Sequence, residues 1–381
     1  MFLTYQEFKK SIILDSSIQI SYDDFMKSNI LNDYWNKFEQ DDIRVVTCKN
    51  VEAFKKFSYE FFISRIDNIL KKYFHERIEC VELPEIQLLP LNVKNNKIKN
   101  SPSHIRFIRS IMNEDLQLCK NRYNTNLSIL FRKIYETGDV RELLRPNTFK
   151  SFDIQNYEFI PDTLIPTIRT LTQQMSIYSP KVYNTLLRYQ QKYSDKKLKN
   201  LLCPTASWGS PVIAATGLEY DSITLVDVQD NVLKKCHQIH DIINENLSVF
   251  DEPFELYTNC IPSEKMSSVD HVFFCPPYYD LEDYGDTAND QSTNLYKSYE
   301  DWLDKYWRDT VNECYKLMEN NGIFSFTMNI YVNGYHIGPD MLKIAQEKFT
   351  YVDQIKIEGN DKQLEDLKKV DRYEVCYILK K

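Results

Sequence analysis

From residue 199 onward the chain settles into a rhythm of short apolar, β-branched and aromatic runs separated by amphipathic stretches. Seven of these runs predict strands, at 199–203, 223–228, 254–259, 271–275, 322–330, 351–358 and 373–379. Apolar residues at three- and four-residue spacing predict helices between most of them, notably over 231–246, 298–318 and 341–348. Strands alternating with helices build βαβ units, and so an α/β domain with a mostly parallel sheet and ligand sites at the strands' carboxyl ends. The last two strands have no clear helix between them.

The front of the chain has a different period. Over 51–79, Phe54, Phe57, Phe61, Phe62, Ile66, Ile69, Leu70 and Phe74 recur in steps of three and four, one face of a long helix. A similar stripe runs over 104–136 through Ile105, Ile108, Ile111, Leu116, Leu127, Leu130, Phe131 and Ile134. Between them, 80–103 carries Pro84, Pro90 and Pro102 among many Asn and Lys, and predicts an irregular connector. All eight glycines fall at or after Gly138. The expected organisation is a mainly helical domain over 1–150, followed by an α/β domain over 151–381. Residues 151–180 would wrap onto the second domain as a linker.

Composition narrows the class. With 43% apolar and 27% charged residues, the 381-residue chain has the balance of a globular protein long enough for two cores. No apolar run approaches the roughly 18 residues of a membrane span, and the N-terminus lacks a signal-peptide pattern. The expected location is therefore the cytoplasm, with no membrane partner. Nine cysteines without a C-x-x-C pair suggest neither a metal site nor a disulfide framework. The 26 Tyr and 21 Phe, with abundant Lys and Asn, are what an AT-rich genome encodes, as in some phages, large viruses and low-GC bacteria. A net charge of −8 excludes a general nucleic-acid coat but not a local groove. Residues 94–145 hold eleven Lys and Arg against five Asp and Glu, with Arg106 and Arg109 among them. They predict either a phosphate-facing groove or a solvated helix face.

The most specific chemistry lies at Cys275-Pro276-Pro277-Tyr278, directly after the apolar run 270–274. Two prolines fix φ and offer no N–H, so the turn's carbonyls are expected to point outward as acceptors. Tyr278 adds a flat face for a planar ring. With the downstream Tyr279-Asp280-Leu281-Glu282-Asp283-Tyr284-Gly285, Gln291-Ser292 and Tyr299-Glu300-Asp301-Trp302-Leu303, this stretch resembles the amino-methylating DNA methyltransferases. Their signature is a small polar residue followed by Pro-Pro-Tyr or Pro-Pro-Phe, and the likeness extends over roughly 175–381.

The resemblance implies a Rossmann-like class I methyltransferase domain whose seven-stranded, mostly parallel sheet ends in an antiparallel strand. It implies S-adenosylmethionine as cofactor and nucleic acid as partner, DNA before RNA. Cys275, Pro276, Pro277 and Tyr278 would hold the target amino group. The loop Pro204, Thr205, Ala206, Ser207, Trp208 and Gly209 resembles the family's Asp-Pro-x-Ala-Gly-Trp-Gly form, and Pro180 belongs to a helix packed beside the cofactor. Asp227 falls where the ribose-binding acid belongs, and Ser263 and Glu264 where the adenine is received. Asp280, Glu282 and Tyr284, with Arg106 and Arg109, would contact the substrate.

Three positions depart from the pattern. Cys203 stands for an acid, Ser207 for a glycine and Cys275 for Asp, Asn or Ser. Because a thiol is a weak acceptor, these departures leave two other readings open. One is a methyltransferase fold that binds nucleic acid or a partner subunit without catalysis. The other is a transferase acting on a modified base. Self-association is open as well.

Overall fold

The computed structural model describes residues 2–11, 67, 70–80, 82–83, 97–99, 103–119, 152–153, 158–159, 177–243, 247–250, 268–281, 284, 291–358 and 374–381. The chain divides into two compact units. One gathers 80–115 with 176–381, and the other gathers 2–79 with 116–175. Residues 80–115 thus cluster with the rear of the chain rather than with the rest of the front.

The strands, in chain order, are β1 (Lys97–Lys99), β2 (Phe152–Asp153), β3 (Glu158–Phe159), β4 (Asn200–Cys203), β5 (Ser222–Val226), β6 (Leu247–Phe250), β7 (Val269–Phe274), β8 (Met318–Asn329), β9 (Thr350–Glu358) and β10 (Glu374–Lys380). The helices used below are α1 (Tyr5–Ser11), α2 (Ser103–Leu118), α3 (Pro180–Gln190), α4 (Ser210–Ala215), α5 (Asp230–Ile243), α6 (Arg308–Leu317) and α7 (Ile337–Ala345). Eight strands form one sheet in the order β1-β9-β10-β8-β7-β4-β5-β6, while β2 and β3 make a separate antiparallel ladder. Within the large sheet only β10 runs against its neighbours, β8 and β9. This is the Rossmann-like pattern with an antiparallel final strand.

One expectation is corrected. Among the described residues the sheet has eight strands rather than seven, because Lys97–Lys99, inside the expected connector, pairs parallel with Lys356–Glu358 and extends the β9 edge. A three-residue edge strand needs only free backbone groups, not an apolar pattern. The strand beside β5 is Leu247–Phe250, and the predicted strand at 254–259 lies outside the described residues. The β2–β3 ladder falls in the stretch 151–180 that was expected as a linker. Of the predicted helix over 51–79 the described part is helical at 67 and 70–77, and of the one over 104–136 it is helical as α2.

Strand β7 shows why the sheet is buried on both sides. All six of its residues are buried. Successive side chains point to opposite faces: Phe273 meets Tyr183 of α3 at 4.5 Å between ring centroids, and Phe274 meets Trp307 at 6.0 Å. Trp307 lies in a helix running from Tyr299 to Leu317 with a π-turn over Trp302–Trp307. Five residues apart, the two Trp would sit ~140° apart on an α-helix. The wider i→i+5 turn brings both to the buried side.

On the α3 face a polar network links β7, β8 and α3. His271 Nε2–H donates to Gln190 Oε1 at 2.5 Å, and Tyr220 donates to His271 Nδ1 at 2.7 Å. Ser325 Oγ lies 2.9 Å from the same Gln190 oxygen. Asp270, 3% exposed, accepts the backbone N–H groups of Lys199 and Asn200 and pins the start of β4 to β7. Lys235 of α5 pairs with the buried Asp115 of α2 and with Glu114 at 3.3 Å. In the other unit, the rings of Tyr5, Phe8, Tyr73 and Phe74 interlock, and Asp67 accepts the Tyr5 hydroxyl at 2.9 Å. Among the described residues no helix is long and apolar enough to cross a membrane.

Burial pushes the His271 imidazole down to about 3. The unfolded chain therefore takes up a proton below pH ~6.5 that the folded chain refuses, and stability is lost as pH falls through that range. By pH 5 this group should cost the native state about 2 kcal/mol. Urea midpoints at pH 8 and pH 5 should fall further apart in the wild type than in His271→Gln. Equal differences would show that His271 does not carry the acid sensitivity.

Candidate active site

The sheet reverses its winding between β4 and β7. From β4 the chain moves outward through β5 and β6, and from β7 outward through β8, so the carboxyl ends of β4 and β7 open a crevice. Two segments line it, the loop 204–209 after β4 and the turn 275–281 after β7. Thr205 Oγ1 donates to the carbonyl of Cys275 at 2.9 Å and ties them together. The sequence reading had all the turn's carbonyls free. This one is committed within the protein.

The loop takes a left-handed backbone at three consecutive residues, Ser207 (φ 45°), Trp208 (φ 59°) and Gly209 (φ 80°). For the first two this conformation is strained. Ser207 is held by Tyr183, whose hydroxyl lies 3.0 Å from Ser207 Oγ, and by Thr205 at 3.3 Å. Gly209 lets the loop press against its neighbours, since a Cβ there would stand 2.7 Å from Ile239 Cδ1 of α5. Pro204, Ala206 and Trp208 are buried beside it, and Pro180 opens α3 at its first turn. Cys203, where the family carries an acid, is fully buried, and desolvation pushes its thiol well up.

Asp227 follows β5 and faces the same loop. Its carboxylate accepts the N–H of Ala206 at 3.1 Å and of Gln229 at 3.1 Å. Desolvation raises it to about 6, against the pull of these backbone donors. It holds the loop and remains half-buried rather than sealed.

At the turn after β7, Cys275 Sγ lies 3.4 Å from the Tyr278 hydroxyl. That hydroxyl donates to Glu374 Oε1 at 2.5 Å, and Cys275 Sγ is 3.9 Å from the same oxygen. Burial, then the neighbouring Cys275 and Glu374, push the Tyr278 phenol well up, so it stays a donor. Tyr279 takes a left-handed backbone (φ 54°) and its ring packs edge-on to Tyr299 at 5.4 Å and Tyr335 at 5.7 Å. Asp280 is exposed and accepts from Asn333 Nδ2 at 3.0 Å. Tyr284 lies 6.3 Å from Trp208 between ring centroids, and its backbone N–H donates to Gln291.

The structure thus brings together 204–209, Asp227, 275–280 and Tyr284. Ser263, Glu264 and Glu282 lie outside the described residues. Arg106 and Arg109 are half-buried on α2, each with its Nε shielded from solvent. Glu374, separated from Cys275 by 99 positions, has no signal in the sequence. Tyr178 stands two residues before α3. The Tyr178 hydroxyl is buried without a partner, and its phenol is pushed up by burial, then by Glu374 and Cys275. Among the described residues no group of His, Cys, Asp or Glu could hold a metal ion.

No protein-family model matches the chain, and no curated protein is similar to it. Solved structures with which it shares a partial likeness include the N-methyltransferase NodS from Bradyrhizobium japonicum, at 12% identity and a TM-score of 0.36 over 52% of this chain and 94% of that one. A putative methyltransferase from Streptococcus mutans in complex with SAH matches at 13% identity and 0.35, over 54% and 100%. An rRNA methylase from Streptococcus thermophilus matches at 13% and 0.34, over 54% and 99%.

Gly209→Ala should cost about 1–3 kcal/mol, from a left-handed Cβ and its overlap with Ile239. Chemical denaturation measures it. A neutral result would show that the loop shifts freely.

Proposed function

We propose that this chain is an S-adenosylmethionine-dependent methyltransferase acting on an exocyclic amino group, adenine N6 or cytosine N4, in nucleic acid, DNA before RNA. One observation carries the reading. The Cys-Pro-Pro-Tyr turn stands at the crevice where the sheet reverses, bridged to the strained loop that Asp227 braces.

The residues suit the cofactor's ribose side. Asp227 keeps a carboxylate at the strand end, and Gly209 lets the loop beside it pack closely on α5. Asp227 and the 204–209 loop would hold S-adenosylmethionine, which would supply an electrophilic methyl group. The fixed crevice contributes positioning and a low-dielectric surround, the usual sources of rate in such transfers. Tyr278 offers its ring to a base taken from a single strand or turned out of a duplex.

One observation favours a second reading, a non-catalytic binding protein of the same fold. Cys203 leaves no carboxylate at the end of β4 for the cofactor's ammonium group.

Calorimetric titration with S-adenosylmethionine separates the two. Micromolar binding, weakened at least roughly tenfold in Asp227→Ala, is expected. With the Asp227 carboxyl raised to about 6, the charge that accepts ribose hydroxyls is present above that pH and lost below it. Affinity should therefore fall between pH 7 and pH 5 in the wild type and stay flat in Asp227→Ala. No heat at high cofactor concentration would transfer the case to the binding protein. Cys275→Ser should retain or raise methyl transfer. A covalent adduct trapped on the wild-type thiol, with complete loss in the Ser variant, would make Cys275 a nucleophile instead.

A further inference from the structure

Two hydroxyls are buried toward the carboxyl edge of the sheet, on the face covered by α3. Thr327 of β8 is 0% exposed, and Tyr178, just before α3, is 8% exposed. Among the described residues neither the Tyr178 hydroxyl nor Thr327 Oγ1 has a hydrogen-bond partner. A buried polar group in that state costs the fold stability, and two of them at one corner point to a shared ligand. Resting on the methyltransferase reading above, we propose that Tyr178 and Thr327 form a hydrogen-bonding subsite for the target base. They receive the ring nitrogen beside the amino-bearing carbon, adenine N1 or cytosine N3.

Strand register places Thr327. It pairs with Cys376 of β10, and its neighbour Phe326 pairs with Phe274, so Thr327 comes level with Cys275 where the Cys-Pro-Pro-Tyr turn begins. Alternation puts it on the face of Ser325, which meets Gln190 of α3, and away from Phe326, which packs on Trp307. The Gln190 oxygen on this face is already taken by His271 and Ser325. The Tyr178 phenol has Glu374, Cys275 and Cys376 as its electrostatic neighbours, so it stands over the same corner. Both side chains are held. Ser210 Oγ donates to the Tyr178 carbonyl at 2.6 Å, and the Tyr178 ring meets Tyr183 edge-on at 5.0 Å. Thr327 is β-branched and lies inside a strand, which restricts its rotamer.

The hydroxyls suit an acceptor. A phenol is more acidic than an alkyl hydroxyl and is the better donor, and burial, then Glu374 and Cys275, keeps the Tyr178 proton on. Tyr278, whose hydroxyl lies 3.4 Å from Cys275 Sγ, opens onto the same corner. A base stacked on that ring with its amino group at the turn presents the adjacent ring nitrogen on the same edge, with an in-plane lone pair. A site built to hydrogen-bond one atom rejects the analogue that lacks it, because its own buried polar groups are then left unpaired. The empty protein gives up stability so that the occupied one can select.

The test titrates wild type, Tyr178→Phe, Thr327→Val and the double variant with adenosine and cytidine, and with the deaza analogues in which that ring nitrogen is C–H. S-adenosylhomocysteine is present at saturation, and its own affinity and the thermal midpoint of the ligand-free protein are measured on each. Wild type should prefer one parent nucleoside over its deaza analogue by roughly tenfold or more. Each single variant should shrink that preference at least about threefold and the double variant should abolish it, with S-adenosylhomocysteine affinity kept within about twofold. The ligand-free midpoints should stay level or rise, because each substitution removes a buried hydroxyl that had nothing to bind. A wild type without the preference overturns the subsite, as does an unchanged preference in either single variant. A lowered midpoint in either also overturns it and makes the hydroxyl a structural group. Lost S-adenosylhomocysteine binding in the variants, with the nucleoside preference kept, overturns it too and assigns the hydroxyls to the cofactor. Failure of the wild type to bind S-adenosylhomocysteine refutes the methyltransferase reading instead. In that case the subsite stands or falls on the nucleoside preference alone.

Discussion

Strand β7 is the constraint around which the large unit is organised. With every residue buried and its aromatic pair divided between the two faces, it fixes α3 on one side and the Tyr299–Leu317 helix on the other. Its start is locked to β4 by the Asp270 carboxylate, and the loop beyond β4 is locked to its exit by Thr205. A strand held at both ends and on both faces cannot slide, because a one-residue shift would exchange its faces. The turn that follows inherits that fixity.

The chemistry of the site then depends on strand direction. Parallel strands present one kind of end to the crevice, their carboxyl termini and the loops that follow. The single reversed strand presents the opposite kind and brings a residue from the far end of the sequence. The Glu374–Tyr278 contact exists only because β10 is inserted in this sense.

Much of this was readable, and for physical reasons. Strands such as β7 and β8 are buried along much of their length and stand out as runs rich in apolar residues, while α5 shows its amphipathic stripe. Lys97–Lys99 was unreadable because an edge strand is defined by its neighbour's free backbone, and nothing in Lys-Ile-Lys announces one. Leu247–Phe250 was hidden by its shortness, four residues between a long helical stripe and the longer apolar run at 254–259. In the site, the positions of the turn, the β4 loop and Asp227 were legible because each follows a strand. The left-handed Ser207 and Trp208 were not, since neither residue type signals that conformation; their surroundings impose it. Glu374 was invisible for a different reason. A carboxylate gains meaning from what stands next to it in space, and its neighbours lie far away along the chain.

The 2.9 Å hydrogen bond from Thr205 to the Cys275 carbonyl has a thermodynamic side. It makes the loop that follows β4 and the turn that follows β7 one mechanical piece. Whatever settles into one half of the crevice by reshaping its backbone must alter the fit of the other half. By linkage the effect runs equally in both directions. Two occupants of this crevice would thus not be independent, and each would sense the other through this one threonine.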